Sequence, residues 1–241
     1  AVVRTFIESH IGRDSIPGPP VGNAADLVLS ENLPPELIHK ILEEGGIRNY
    51  DRALVNITSL RTGTRSLFAG LAVLAWDILR RTPDPDMALN NWERFAGTLS
   101  SKHDHFTQLL AEPLQLEILL SIFAGSQFLA DTIIRNPDFI AWIAQPGMIH
   151  TLRKRSHILE DLRRRSAHSQ NTDVWRKELR VLRKREILRI GTRDICLGAS
   201  FSDVVAEISG LADAIIQSSL ERIWEKSARS SSSDSDSFPT L

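Results

Sequence analysis

The chain has 241 residues, 42% of them apolar and only 6% aromatic, with a formal net charge of -1. That much apolar material excludes global disorder, and the near-zero charge argues against a dedicated nucleic-acid binder. One cysteine, Cys196, excludes an internal disulfide and fits a reducing compartment. No apolar run reaches the ~18 residues of a membrane span, and the N-terminus lacks the apolar block of a signal peptide. The expected setting is soluble and cytoplasmic, without a membrane partner.

Residues 1–30 are weakly patterned. Ser15 to Asn23 (SIPGPPVGN) breaks any regular element, so an irregular arm is expected, with at most a short helix near Val2–His10. In ENLPPELIHKILEEGG, Pro34 and Pro35 suit a first helical turn, and Leu37, Ile38, Ile41 and Leu42 recur at helical spacing. Gly45-Gly46 ends that helix. A second helix is expected over Asp51–Leu60, with Asp51 as N-cap. Ser66–Asp86 holds a helix that is apolar nearly all round, hence central and buried, stopped by Pro83 and Pro85.

Further helices are expected over Asp86–Ser100, His103–Leu110 and Leu114–Gly125. Ser126 then caps QFLADTIIRN, and Asn136-Pro137 starts PDFIAWIA. A basic amphipathic helix is expected over Ile149–Ser166, and a last one over Ser202–Lys226. In that last helix Val205, Ile208, Leu211, Ala212, Ile215, Leu220 and Ile223 form the expected buried face. SARSSSSDSDSFPTL has nothing to bury and reads as a disordered linker or tail. Strand signals are almost absent. The expected fold is all-α, a multi-helix bundle or superhelix, divided as an irregular arm 1–30, a helical domain 31–226 and a serine-rich tail 227–241.

Between the last two helices expected lies VWRKELRVLRKREILRIGTRDICL, Val174–Leu197, with eight basic residues against Glu178, Glu186 and Asp194. At about 100° per residue, Arg176, Lys177, Arg180, Arg183 and Lys184 share one face. Arg185, Arg189 and Arg193 form an i, i+4, i+8 ladder beside the apolar stripe of Val174, Val181, Leu188 and Ile195. Arginines at a core edge need carboxylate or carbonyl partners, so this row is read as semi-buried and paired. Arg183, Lys184, Arg185, Arg189 and Arg193 are the candidate partner-binding residues, set against a solvated charged face.

No catalytic centre is visible. Ser233-Asp234-Ser235-Asp236 matches the Ser-Asp-x-Asp element that holds magnesium in nucleotidyltransferases, but it lies in a serine run without the apolar strand that such carboxylates need. His103-Asp104-His105 places its imidazoles on opposite sides of a helix, so both read as exposed polar residues rather than metal ligands. Cys196 reads as a buried structural thiol, and Trp76, Trp92, Trp142, Trp175 and Trp224 read as core. No catalytic residue and no metal ligand is assigned.

Four stretches in order resemble the bacterial glutamine synthetase adenylyltransferase/adenylyl-removing family. They are LPPELIHKILEEGGIRNYDRALVNITSL, RTPDPDMALNNWERF (Arg81–Phe95), LLSIFAGSQFLADTIIRNPDFIAWI (Leu119–Ile143) and LRVLRKREILRIGTRDI (Leu179–Ile195). The resemblance implies a helical region ahead of a nucleotidyltransferase domain. The parent enzyme would transfer AMP from ATP, with magnesium, to a glutamine synthetase tyrosine, and remove it by phosphorolysis. It also implies a nitrogen-signalling regulator as partner. Arg185, Glu186, Arg189, Arg193 and Asp194 match the family's charged helix, first as structural ion pairs and second as contacts to the catalytic domain or substrate. Two rival readings are a self-standing helical adaptor using the basic face and, behind it, a nucleic-acid-associated helical domain.

Overall fold

The computed structural model describes residues 22–168 and 171–234, and side chains are not described for 166–170 and 229–241. Most of the expected arm and the Val2–His10 helix therefore lie outside the described residues, as do residues 235–241. Among the described residues there are twelve helices and no strand. They fall into two compact units, Ala1–Gln145 and Pro146–Leu241.

The first unit holds α1 (Ala24–Leu29), α2 (Pro35–Glu44), α3 (Tyr50–Arg61), α4 (Arg65–Leu79), α5 (Pro85–Ala96), α6 (Lys102–Ala111), α7 (Pro113–Gly125), α8 (Gln127–Arg135) and α9 (Phe139–Ile143). Its starts follow side-chain chemistry. Asn23 and Asp26 form a capping box on α1, while Asp84, Ser101 and Ser126 accept first-turn N–H groups of α5, α6 and α8. The cap of α3 is Asn49, whose Oδ1 accepts the Arg52 N–H at 3.1 Å, and not the expected Asp51, which sits in the first turn. Asp86 explains the early start: its carboxylate accepts the N–H groups of Arg48 and Asn49 at 2.9 and 3.1 Å, fixing the chain just ahead of α3.

The central helices are the two most apolar ones, α4 and α7, which pack on each other and on α1, α5, α6 and α8. Phe68, Trp92 and Phe106 bring α4, α5 and α6 together, with ring centroids 5.4 to 6.1 Å apart. Such tilted and edge-on pairs add to the burial of large rings. Asn91, buried in the same layer, donates to the Phe123 carbonyl at 3.1 Å and exchanges hydrogen bonds with Gln127.

The second unit holds α10 (Arg155–His168), α11 (Thr172–Leu197) and α12 (Phe201–Asp234). Ile158, Leu159, Leu162, Leu182, Ile190, Leu211 and Ala214 form its core. Two expectations are corrected. The helix expected from Ile149 begins only at Arg155, and the carbonyls of Ile149 and Thr151, outside any helical ladder, accept from buried arginines. On α12 the face turned to α10 and α11 carries Val204, Glu207, Leu211, Ala214 and Ser218. Val205, Ile208, Ala212, Leu220 and Ile223 are exposed. Trp224, expected in the core, is 80% exposed. The inward face also carries Glu207, whose carboxylate is paired with Arg189 and Arg193.

Among the described residues no single helix is long and apolar enough to cross a membrane.

Candidate functional site

The centre of the second unit is charged. Arg189 on α11 is fully buried, and each of its three guanidinium nitrogens donates a hydrogen bond: Nε to Glu186 Oε2 at 2.9 Å, Nη2 to Glu207 Oε1 at 2.6 Å, and Nη1 to the Thr151 carbonyl at 3.1 Å. One turn on, Arg193 donates through Nη1 to the Ile149 carbonyl at 3.2 Å, and its Nε lies 3.1 Å from Glu207 Oε2. Arg153, from the segment before α10, bridges Glu186 and Asp161. Burial pulls the Arg153 pKa down, but Glu186 and Asp161 outweigh it and hold the guanidinium above its ordinary value.

Three arginines thus face three carboxylates, Asp161, Glu186 and Glu207. Isolated buried charges of this kind would cost several kcal/mol each, so the cluster is tolerable only because it is balanced and its geometry is good. It joins α10, α11, α12 and the 149–153 segment, and it leaves no carboxylate oxygen of Glu186 or Glu207 turned to an open site. Its chemical capacity is structural: it ties together by charge three helices that also share the apolar core of this unit.

The five candidate partner-binding residues therefore split. Arg183 and Lys184 are exposed, Arg185 is half-buried, and Arg189 and Arg193 are inside the cluster. Arg176, Lys177 and Arg180 are exposed on the same face as Arg183 and Lys184. Of these, Arg176 pairs with Asp173 at 3.3 Å, whereas Lys177, Arg180, Arg183 and Lys184 make no ion pair among the described residues. That face can attract an anionic partner; the buried row cannot reach one.

Glu207 and Asp161 escaped sequence reasoning. Glu207 sits within VVAEISGLADAII, where an apolar majority masks one carboxylate; the available signal was its spacing from Val204, Leu211, Ala214 and Ser218, which puts it on their side of the helix.

The other candidates resolve simply. His103 is exposed with its Nδ1 3.6 Å from Asp104 Oδ1, but His105 is not the exposed residue expected. It is half-buried against Phe95 and Phe106, and burial pushes its pKa down from 6.5 to about 4. Cys196 is half-buried. Of the Ser-Asp tetrad, Ser233 and Asp234 end α12, and Ser235 and Asp236 lie outside the described residues. No group of three His, Cys, Asp or Glu side chains able to hold a metal occurs among the described residues. With Glu186 and Glu207 already taken by arginines, the described residues do not fit a magnesium site.

Fold and site thus define an all-helical module whose best-built feature is an internal charge cluster on a long arginine-rich helix. The family described as glutamate-ammonia ligase adenylyltransferase matches residues 116–237, half of the chain, and the chain belongs to that family. Similar proteins include the bifunctional glutamine synthetase adenylyltransferase/adenylyl-removing enzyme of Bifidobacterium longum subsp. infantis, 28% identical over 62% of this chain and 14% of its own length. The protein of the same description from Corynebacterium diphtheriae is 24% identical over 78% of this chain and 18% of its own. That from Nitrosococcus oceani is 26% identical over 58% and 14%. The chain spans less than a fifth of the length of these relatives.

Proposed function

We propose that this chain is a helical scaffold and regulatory segment of a glutamine synthetase adenylyltransferase, without catalytic machinery of its own. The observation that supports this reading is the match over residues 116–237, which runs through the charge cluster and takes in all of α12. The parent enzyme would use ATP and magnesium to transfer AMP to a glutamine synthetase tyrosine and remove it again. That chemistry calls for carboxylates held by a rigid element against metal-bound phosphates. In this chain the buried carboxylates are instead spent on arginines. A nitrogen-signalling regulator and a following nucleotidyltransferase domain are the further partners of this reading.

The exposed row Lys177, Arg180, Arg183 and Lys184 favours a second reading, an adaptor that docks an acidic protein surface. One assay separates the two. The 241-residue chain is incubated with glutamine synthetase, ATP and magnesium, and AMP incorporation is followed by intact mass alongside binding. The scaffold reading expects binding to glutamine synthetase, no incorporation and no binding to arbitrary DNA. Incorporation by this chain alone would overturn it, and absence of binding would leave the adaptor reading in place.

A further inference from the structure

One side of α12 is packed, with Glu207, Leu211, Ala214 and Ser218 buried against α10 and α11. The other side is apolar and bare. Phe201, Val205, Ile208, Ile216, Leu220, Ile223 and Trp224 are 43% to 84% exposed, and Ala212 between them is exposed as well. At about 100° per residue, the positions from Phe201 to Ile223 share an arc of roughly 120°, with Trp224 at its border. The stripe runs for roughly 33 Å at ~1.5 Å per residue. No charged residue falls on the arc between Phe201 and Ile223, and Asp213 stands at its rim. Ser219, which does fall on it, donates its hydroxyl to the Ile215 carbonyl of its own helix at 2.7 Å.

Single exposed apolar residues are ordinary on a protein surface, but a continuous stripe of them is not. With ~150–250 Å² for each aromatic side chain and somewhat less for each aliphatic one, these exposures amount to roughly 800 Å². That matches the ~800 Å² each partner contributes to a stable interface, and exceeds the ~300–600 Å² largest patch of an ordinary monomer. The order of side-chain sizes selects the partner. Outward from Ala212 come Ile208 and Ile216, then Val205 and Leu220, then Phe201 and the Ile223-Trp224 pair. The stripe is small at its centre, medium on either side and largest at both ends, so it reads alike in both chain directions. A contact about a twofold axis requires a patch complementary to itself, whereas an unrelated partner requires no such symmetry. We propose that this face binds a second copy of the chain, the two α12 helices lying antiparallel and crossing at Ala212. Ile208 of one copy then meets Ile216 of the other, Val205 meets Leu220, and Phe201 meets Ile223 and Trp224. The small Ala212 lets the two backbones approach at the crossing. The inference does not depend on the enzyme to which the chain contributes.

Sedimentation velocity of the 241-residue chain over a range of concentrations tests it, with a reversible monomer–dimer equilibrium expected. Ile216→Glu places a charge in the contact twice over and is expected to raise the dimer dissociation constant a hundredfold or more. Val55→Glu, at an exposed apolar position of the first unit, should leave it unchanged. Ile216 is exposed, so its variant keeps the fold, and matching circular dichroism spectra check this. Orientation is read from cysteine cross-linking in a Cys196→Ser background. Ala212→Cys should oxidise to a covalent dimer by itself, and Val205→Cys should do so only when mixed with Leu220→Cys. A chain that stays monomeric at hundreds of micromolar overturns the proposal and leaves another protein, or another part of a longer polypeptide, to cover the face. A dimer that survives Ile216→Glu overturns it too, since its interface lies elsewhere. Covalent dimers of Val205→Cys alone overturn the antiparallel arrangement.

Discussion

Arg189 on α11 and Glu207 on α12, 18 positions apart in the chain, meet at 2.6 Å with both side chains buried. Removing one partner from such a pair is far costlier than the pair itself is worth, because it strands a charge in the interior. Arg189→Ala leaves both Glu186 and Glu207 short of a donor, and a loss of about 3–5 kcal/mol is expected. Denaturant unfolding monitored by circular dichroism measures it. Restoring neutrality with Arg189→Met plus Glu207→Gln should recover part of that loss, and no recovery would show that packing rather than charge accounts for it.

The outer row behaves in the opposite way. Arg183 and Lys184 are exposed, and neither makes an ion pair among the described residues. Charge reversal there, Arg183→Glu with Lys184→Glu, is expected to change stability by no more than about 0.5 kcal/mol per site. Melting curves of this double variant beside Arg193→Glu test the division directly. Arg193 lies inside the cluster against Glu207, so its reversal should lower the melting temperature by many degrees.

How far the sequence carried is best seen in three helices. α4 was legible because an element apolar nearly all round can only be central, and α8 because Ser126 caps a clean amphipathic run. The arginine ladder was legible as a row needing partners, and Arg189 and Arg193 have them. The identity of those partners was not. Glu207 comes from another helix, and the Ile149 and Thr151 carbonyls become acceptors only because the helix expected there does not form. The same pair misled the reading of α12. Periodicity counts apolar side chains, and the second face, from Phe201 to Trp224, scores as well as the one that packs. The face that packs carries a buried, paired carboxylate among its apolar residues, which no apolar pattern weighs. Within the candidate site, the exposed half of the basic helix was read correctly as a surface, while the separation of Arg189 and Arg193 from it required the tertiary contacts.

Gly45 gives a test of packing in the first unit. It closes α2, and a Cβ there would fall 2.6 Å from Trp76 Nε1, whose N–H donates to the Ile41 carbonyl at 2.9 Å. The indole cannot withdraw without losing that bond, since the ring is buried. Gly45→Ala is therefore expected to destabilise by about 1–3 kcal/mol, despite alanine's better helix propensity. In a Trp76→Phe background the penalty should shrink, because the clashing nitrogen is gone. An undiminished penalty in that background would assign the effect to the α2 terminus itself.

His105 makes the first unit sensitive to mild acid. Its ring sits 5.1 Å from that of Phe95, its Nε2 lacks a hydrogen-bond partner among the described residues, and burial lowers its pKa from 6.5 to about 4. With the folded-state value depressed, the unfolded chain binds the proton first as pH falls through 6.5, while the folded chain resists until about 4. Stability should accordingly decline across that window, by up to about 1.4 kcal/mol per pH unit from this group. Carboxylates such as Glu221, held down to about 2 by Arg163 and Gln217, add an acid sensitivity of the same sign. The informative quantity is thus the difference between the parent chain and His105→Gln, measured by urea unfolding at pH 7, 5.5 and 4.5. His105→Gln should flatten the slope between pH 6.5 and 4.5, and parallel slopes in the two proteins would show that the imidazole titrates normally in the fold.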